Sequence, residues 1–468
     1  KRELTASDVL YTIKRFSDVR INNLSWFLLD GIVEGLDDFR EKTTKDPKFT
    51  KDYEKVAVSG LKELGRHSFE IKLTKKNKLF MYALATSSLS IVPKEAVSHY
   101  GRNFGRHPVG TGPFRLKEYE KKQKMILIKN PNYFLSYPSE NGSDDKLLSD
   151  KNKKLPLIDE VHVHFIPEAQ PAMLKFKKGR LSWVGLDRDN FMQMAYRDAK
   201  GEFHLKGKAA KDYVLYTEPG LSFFYYVFNM KDSLLGKNKN LRKAIAYAID
   251  VNAKIKLLQN GRGEKLYTVV PQAIKGSEKD IGKFWYDYDL AKAKDYLKQA
   301  GFPEGKGLPV IEMTLSGTSS ATKKQFEFIR SSLSQIGVKL KGDFKTWPSY
   351  LKTLDSGDYQ FATAGWAADY PDAENFYQLF YGGNIPGSNH GYFNNESYNK
   401  LYEKIRFMPD GEERFKLFRE MAQILKDEVP IVLDSTPLVS GLLQKSLRNF
   451  KRHMMLPAPY KYINLAQK

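Results

Sequence analysis

An α/β fold is predicted by three observations within residues 311–364. Ile311, Met313 and Leu315 alternate with polar residues, as a half-buried strand requires. Phe326, Ile329, Leu333 and Ile336 then recur at helical spacing and stop at Gly337. Val338 and Leu340 open a second strand, 348–354 reads as a second helix ending near Gly357, and 359–364 as a third strand. Strand, helix, strand, helix, strand at these lengths calls for crossover connections and a parallel sheet. Ligands on such sheets sit beyond the carboxyl ends of the strands. The segment Gly365-Trp366-Ala367-Ala368-Asp369-Tyr370-Pro371-Asp372-Ala373-Glu374-Asn375-Phe376 begins there. Asp369 is therefore where a ligand-facing acid belongs, although Asp before Tyr-Pro-Asp is equally good turn chemistry.

The remaining elements follow along the chain. Thr5-Ala6-Ser7-Asp8 has the spacing of a capping box, with Asp in place of Glu, ahead of a helix through Val9, Ile13 and Phe16. Strands at 56–64 and 68–73 flank a turn at Gly65-Arg66-His67, and 79–84 is a short helix. The breaker-dense run from His107 through Pro108, Gly110, Gly112 and Pro113 to Phe114 marks a domain crossing, with strands at 114–119 and 125–129 after it. Ser, Asn, Gly, Asp and Lys dominate 137–154, the composition of an exposed, mobile insertion loop. A strand at 161–165 and a helix at 169–177 come next. The strand at 221–229 is strongly aromatic, and helices follow at 241–249 and from Asp250. Asp289 caps a helix through Leu290, Ala293, Tyr296 and Leu297 that Gly301 ends. A helix at 414–425 and the apolar run Val429-Pro430-Ile431-Val432-Leu433 complete the pattern.

A chain of 468 residues suggests roughly three domain-sized units. With 41% hydrophobic and 13% aromatic residues it packs a core instead of remaining disordered. Lys and Arg number 76 against 55 Asp and Glu, a net charge of +21 that invites a nucleic-acid partner. The lysines are dispersed, however, and no zinc-finger, helix-turn-helix or RNA-recognition pattern is present. They read as a solvated surface, with no nucleic acid bound. Without cysteine, structural disulfides, thiolate metal sites and a Cys nucleophile are excluded. No stretch approaches the ~20 apolar residues that span a bilayer. Lys1-Arg2-Glu3-Leu4 offers no initiator Met and no apolar export segment, so a processed or truncated amino terminus is expected.

Catalysis finds little support. No Gly-x-Ser-x-Gly elbow, phosphate-binding Gly-x-x-x-x-Gly-Lys loop or His-Glu-x-x-His motif occurs, and Gly110-Thr111-Gly112 lacks the third glycine of a dinucleotide fingerprint. Asp369 and Asp372 offer a carboxylate pair of the kind that hydrolyses glycosides, but such pairs arise by chance in loops. His162 and His164 alternate on one strand face and form a possible metal-ligand pair; exposed strand histidines look the same. The expectation is a binding protein without enzyme activity, cofactor or metal.

Seven segments, in order, carry a resemblance. They are Leu4-Thr5-Ala6-Ser7-Asp8-Val9 with Lys14-Arg15; Pro108-Val109-Gly110-Thr111-Gly112-Pro113-Phe114; Asn130-Pro131-Asn132-Tyr133-Phe134; and Leu241 through Asp250. Asp289-Leu290-Ala291-Lys292-Ala293, Trp366 through Phe376, and Asn389-His390-Gly391-Tyr392-Phe393-Asn394-Asn395 complete the set. Together they resemble the extracytoplasmic solute-binding proteins of ABC importers, in the class that binds peptides and, in some members, nickel and other solutes. The resemblance implies a two-lobed clamshell with an additional small domain, mixed sheets flanked by helices, and hinge closure around the ligand. It places the remainder of the small domain at 1–106, lobe I at 107–250, lobe II at 251–435 and a return to lobe I at 436–468. By analogy roughly 80 further residues precede this segment in the family. The implied partners are a peptide and an importer's membrane permease, the implied location periplasmic or membrane-tethered outside the cytoplasm, and the implied state a monomer.

Site residues follow from the same resemblance. In peptide-binding members an acid at the Trp-x-x-Asp position pairs with the ligand's α-ammonium; here that acid is Asp369, preceded by Trp366 and followed by Tyr370. A charged amine taken out of water needs such a partner. Tyr225, Tyr226 and Asn229 would form part of the peptide's wall, or belong to the core, since alternate residues of a strand face opposite sides. Lys323 and Lys324 stand where some peptide binders hold the carboxylate, a position that also suits a solvated pair. A nickel or other non-peptide solute, a clamshell signalling receptor and a hydrolase remain the alternatives.

Overall fold

A computed structural model of the protein describes residues 2–466 apart from 22, 24, 46–52, 141–144, 278–284, 452–454 and 456–458. Its central feature is a five-stranded sheet in the order Leu340–Lys345, Ile311–Ser316, Phe361–Ala367, Ser222–Phe228, Ile431–Leu433. The first three strands are parallel, as their crossover helices Ser320–Ser334 and Trp347–Ser356 require. Ser222–Phe228 runs antiparallel to both of its neighbours, so the five-stranded sheet is mixed, as the resemblance implies, around the parallel trio that the pattern of 311–364 predicts. That strand lies more than eighty residues before the βαβαβ run, and no crossover helix fixes its direction.

Local chemistry sets the crossovers. Ser319 caps the first helix by accepting from the Thr322 backbone N–H. The second has Pro in its first turn and ends at Gly357 with φ +72°, a left-handed geometry that costs glycine nothing. Strand alternation sends Phe223, Tyr225 and Val227 into a core with Ala362, Phe376 and Tyr377, and Tyr226 and Phe228 into a second core with Met313, Leu315 and Phe361. Each such buried side chain contributes about 1.5–3 kcal/mol of burial free energy. Helix Lys239–Ala248 packs into that second core, so residues on both sides of position 250 share one sheet and its packing.

A four-stranded antiparallel sheet is built around Ser435–Gln444, which pairs with Trp183–Gly185, Tyr213–Pro219 and Gly263–Lys265. Two of the chain's passages between the sheets are short: Gly220 and Leu221 separate Tyr213–Pro219 from Ser222–Phe228, and Asp434 alone separates Ile431–Leu433 from Ser435–Gln444, whereas those into and out of Gly263–Lys265 are longer. The strands Phe114–Glu120, Lys124–Lys129 and Glu160–His164 form a further antiparallel sheet. The amino-terminal segment has its own core of Tyr11, Phe16, Leu28, Leu36 and Phe39. Its hairpin turns where the sequence predicts, although the first strand is Leu61–Gly65 and begins later than expected.

The described parts of 137–154 are largely exposed, as their composition predicts, but the segment is anchored near both ends, with Tyr137 N–H donating to Lys153 O at 2.8 Å and Ser136 bridging Lys154. Asp150 is buried and accepts from Lys153 Nζ at 2.6 Å, Asn449 Nδ2 at 2.8 Å and Asn464 Nδ2 at 3.0 Å. Polar composition conceals such an anchor, because a buried acid and a solvated one look alike in sequence. Residues 141–144 of this segment lie outside the described residues. No described helix is long and apolar enough to cross a membrane.

Candidate functional site

A cleft of about 550 Å³ opens beyond the carboxyl ends of Ile311–Ser316 and Phe361–Ala367. Phe224, Trp347, Tyr350, Trp366, Asp369 and Asp434 are among its lining residues. Each reaches it for a local reason. Phe224 lies across Gly365, where a Cβ would sit 2.5 Å from its ring, so the strand register requires glycine there. Tyr350 is tethered by donating its hydroxyl hydrogen to Thr363 O, and Trp347 stacks on it at 5.7 Å between ring centres.

Asp369 leaves the sheet two residues after its strand ends. Fully buried Asn375 organises it: Asn375 Oδ1 accepts from the Asp369 backbone N–H at 2.9 Å and from Trp366 Nε1–H at 3.1 Å, while its Nδ2 donates to Asp369 Oδ2 at 3.0 Å. Among the described residues no Lys, Arg or His forms an ion pair with Asp369. Its side chain touches solvent in the cleft, but the surrounding protein displaces much of the water around it. That desolvation raises its carboxyl above the ordinary range, against the lowering effect of the Asn375 and Trp366 hydrogen bonds. Solvent in the open cleft limits the size of the effect.

The neighbouring acids are satisfied within the protein. Asp372 accepts from Arg414 Nη1 and Nη2, each at 2.9 Å, and pairs with Lys78 Nζ at 2.8 Å. Burial alone would raise its carboxyl, yet these cations hold it below the usual value. Glu374 accepts hydroxyl hydrogens from Tyr370, at 2.6 Å, and from Tyr402.

The structure brings Asp369, Trp366 and Tyr225 to the cleft. It does not bring the other expected residues there. Tyr226 is buried on the opposite face of its strand. Tyr370 is buried against the amino-terminal core. Asn229 donates from Nδ2 to Gly357 O and Tyr359 O at 2.8 and 2.7 Å, bracing the turn before Phe361–Ala367. Lys323 is exposed, and Lys324 Nζ lies 3.4 Å from Asp189 Oδ2. His162 and His164 face different partners, Glu160 Oε2 at 2.8 Å and Lys175 Nζ at 3.0 Å. Asn375, Arg414, Lys254 and Asp434 received no role from the sequence; Asn375 stood inside the informative segment, but its contacts have no spacing signature.

Comparison with known proteins matches residues 2–388 to the family described as bacterial extracellular solute-binding proteins, family 5 middle. The oligopeptide-binding protein OppA of Bacillus subtilis is 28% identical over 338 residues, covering 71% of this chain and 56% of that protein. The dipeptide-binding protein of Escherichia coli is 23% identical, covering 84% and 69%. The heme-binding protein A of Haemophilus influenzae is 26% identical, covering 83% and 65%. This chain thus spans between about half and seven-tenths of these relatives' lengths. Among solved structures, the periplasmic binding protein DppA of Helicobacter pylori in complex with a peptide superposes with a TM-score of 0.77 at 23% identity, covering 100% of this chain and 83% of that one. The E. coli murein tripeptide binding protein MppA gives 0.78 at 19% identity, with 100% and 84% covered. The fold is that of the two-lobed periplasmic binding proteins.

Proposed function

The chain belongs to the family 5 bacterial extracellular solute-binding proteins, and from that premise we propose that it holds a peptide in the cleft, α-ammonium on Asp369, for delivery to an importer's membrane permease. The observation that carries the reading is Asp369 itself: a carboxylate held in the cleft by Asn375, without an ion pair to a cation among the described residues, between neighbours whose charge and hydrogen bonds are already met. An ammonium supplies the missing charge and donates up to three hydrogen bonds. Trp366 beside it covers the pair from water. The wall of Phe224, Trp347 and Tyr350 suits apolar parts of the ligand.

The lobes proposed are the four-stranded and five-stranded sheets with their helices, with strand Ser222–Phe228 counted in the second. Closure would bend the short connections at 220–221 and 434. We propose an extracytoplasmic location, a monomer, and no catalytic role. A non-peptide solute is the second reading, favoured by the relative named for heme binding.

Calorimetric titration with short peptides in free-amine and N-acetylated forms tests the assignment. Wild type should bind the free amines, and both acetylation and Asp369→Asn should weaken binding tenfold or more, about 1.4 kcal/mol or greater. Equal binding of both forms, or none, moves the non-peptide reading forward.

A further inference from the structure

Asp434 is the single residue between Ile431–Leu433 of one sheet and Ser435–Gln444 of the other, and it lines the cleft. Its backbone is fixed on both sides, with its N–H donating to Phe224 O at 3.0 Å and its carbonyl accepting from Leu266 N–H at 3.2 Å. Its side chain is 2% exposed, and Oδ2 accepts from Nζ of Lys254, which is 5% exposed. Burial favours the neutral amine, but Asp434 and Tyr226 outweigh it and hold Lys254 protonated. Asp434 Oδ1, by contrast, is buried with no hydrogen-bond partner among the described residues. An unsatisfied buried carboxylate oxygen is costly, and such exceptions point to a missing donor.

Resting on the peptide reading, we propose that Asp434 is a second ligand anchor, its Oδ1 accepting a main-chain N–H of the bound peptide. The class of donor follows from charge. Lys254 already neutralises Asp434, so a second cation gains little there, whereas a neutral amide N–H meets a polarised acceptor. The position follows from the sheet. Phe224 pairs with Gly365 on one side and bonds to Asp434 on the other, so Gly365 and Asp434 stand two strand spacings apart, about 10 Å. An extended peptide covers that span with about three residues. Asp369 lies four positions beyond Gly365, so the ammonium end of the peptide is displaced along the strand from that line and the contact falls on a main-chain N–H downstream of it. Because Asp434 joins the two sheets, the same contact ties ligand occupancy to the connection between them.

The test uses tetra-alanine and its three analogues carrying one N-methylated amide each, titrated into wild type, the double variant Asp434→Leu with Lys254→Met, and Asp434→Asn. In wild type one methylation should weaken binding at least tenfold, and in the double variant that same methylation should matter less than twofold. In Asp434→Asn, Lys254 takes the amide oxygen and an N–H donor replaces the outer acceptor, so unmethylated tetra-alanine should bind at least tenfold more weakly. The Asn variant carries the test if the double variant does not fold. Equal methylation penalties in wild type and double variant, or unchanged tetra-alanine affinity in Asp434→Asn, would make Lys254–Asp434 an internal structural pair and overturn the anchor. Failure of the peptide reading looks different: wild type then binds neither tetra-alanine nor any analogue, and both assignments fall.

Discussion

Asp369 and Asp372 lie three residues apart in one loop, and their surroundings are opposite. Asp372 is turned inward, 5% exposed, between the forked guanidinium of Arg414 and the ammonium of Lys78. Asp369 is turned to the cleft, held by the neutral amide of Asn375 and lacking an ion pair among the described residues. Desolvation pushes both carboxyls upward, Asp372 by burial and Asp369, exposed to the cleft, by the protein around it; the cations reverse this for Asp372, and for Asp369 the hydrogen bonds only oppose it. Asp372 ties the loop to the protein's own cations, and Asp369 is the acid proposed above for a ligand's charge. Within one turn of chain, the location of cations separates a structural carboxylate from the one proposed to bind a ligand.

The largest test removes the structural partner. Arg414→Met leaves Asp372 buried with only the partly exposed Lys78, and breaking such a pair costs about 3–5 kcal/mol. Urea unfolding should show that loss, with peptide affinity of the folded fraction changed far less; a stability loss under 1 kcal/mol would break the contrast. Asn375→Leu comes next. It strips hydrogen bonds from Asp369 and from the Trp366 indole in a fully buried place, so a loss of about 1–3 kcal/mol in stability is expected. Affinity for free-amine peptides should fall as well, whereas Asp369→Asn should lower affinity and leave the unfolding midpoint nearly unchanged. If the Asn375 variant binds as wild type does, Asp369 needs no positioning.

The smallest effect is the pH profile. An ammonium ligand binds the ionised form of Asp369, so affinity is full above the free protein's pKa and is lost as pH falls through it. With that pKa raised, the loss begins at a higher pH than the ordinary aspartate value near 3.8 would give. Asp372, held below 3.8, stays charged across that window. Titration calorimetry between pH 7 and 4 should show the decline in wild type and a flat line in Asp369→Asn; identical profiles would remove the ammonium contact.

Much of this was legible beforehand. The apolar periodicities of 311–364 located all three crossover-linked strands and both helices, the strand expected to open at Val338 starting at Leu340 and running to Lys345, and the one expected from 359 starting at Phe361. The Asp289 cap accepts from the Lys292 N–H as its spacing predicts, and the helix expected from Asp250 begins at Val251 with Asp250 accepting from the Ala253 N–H. The end of Phe361–Ala367 gave the place of Asp369. These are local facts: a helix face, a cap or a strand end depends on residues within a few positions, and chain order preserves that information.

What tertiary structure alone decided involves partners distant in sequence. Which face of Ser222–Phe228 meets the cleft, and so whether Tyr225 or Tyr226 lies there, depended on pairing with strands more than a hundred residues downstream. Arg414 reaches Asp372 across 42 positions and Lys254 reaches Asp434 across 180. Residue types determined that acids, lysines and aromatics were available; burial, which sets the strength of each charge and the need for each hydrogen bond, existed only once the chain had packed.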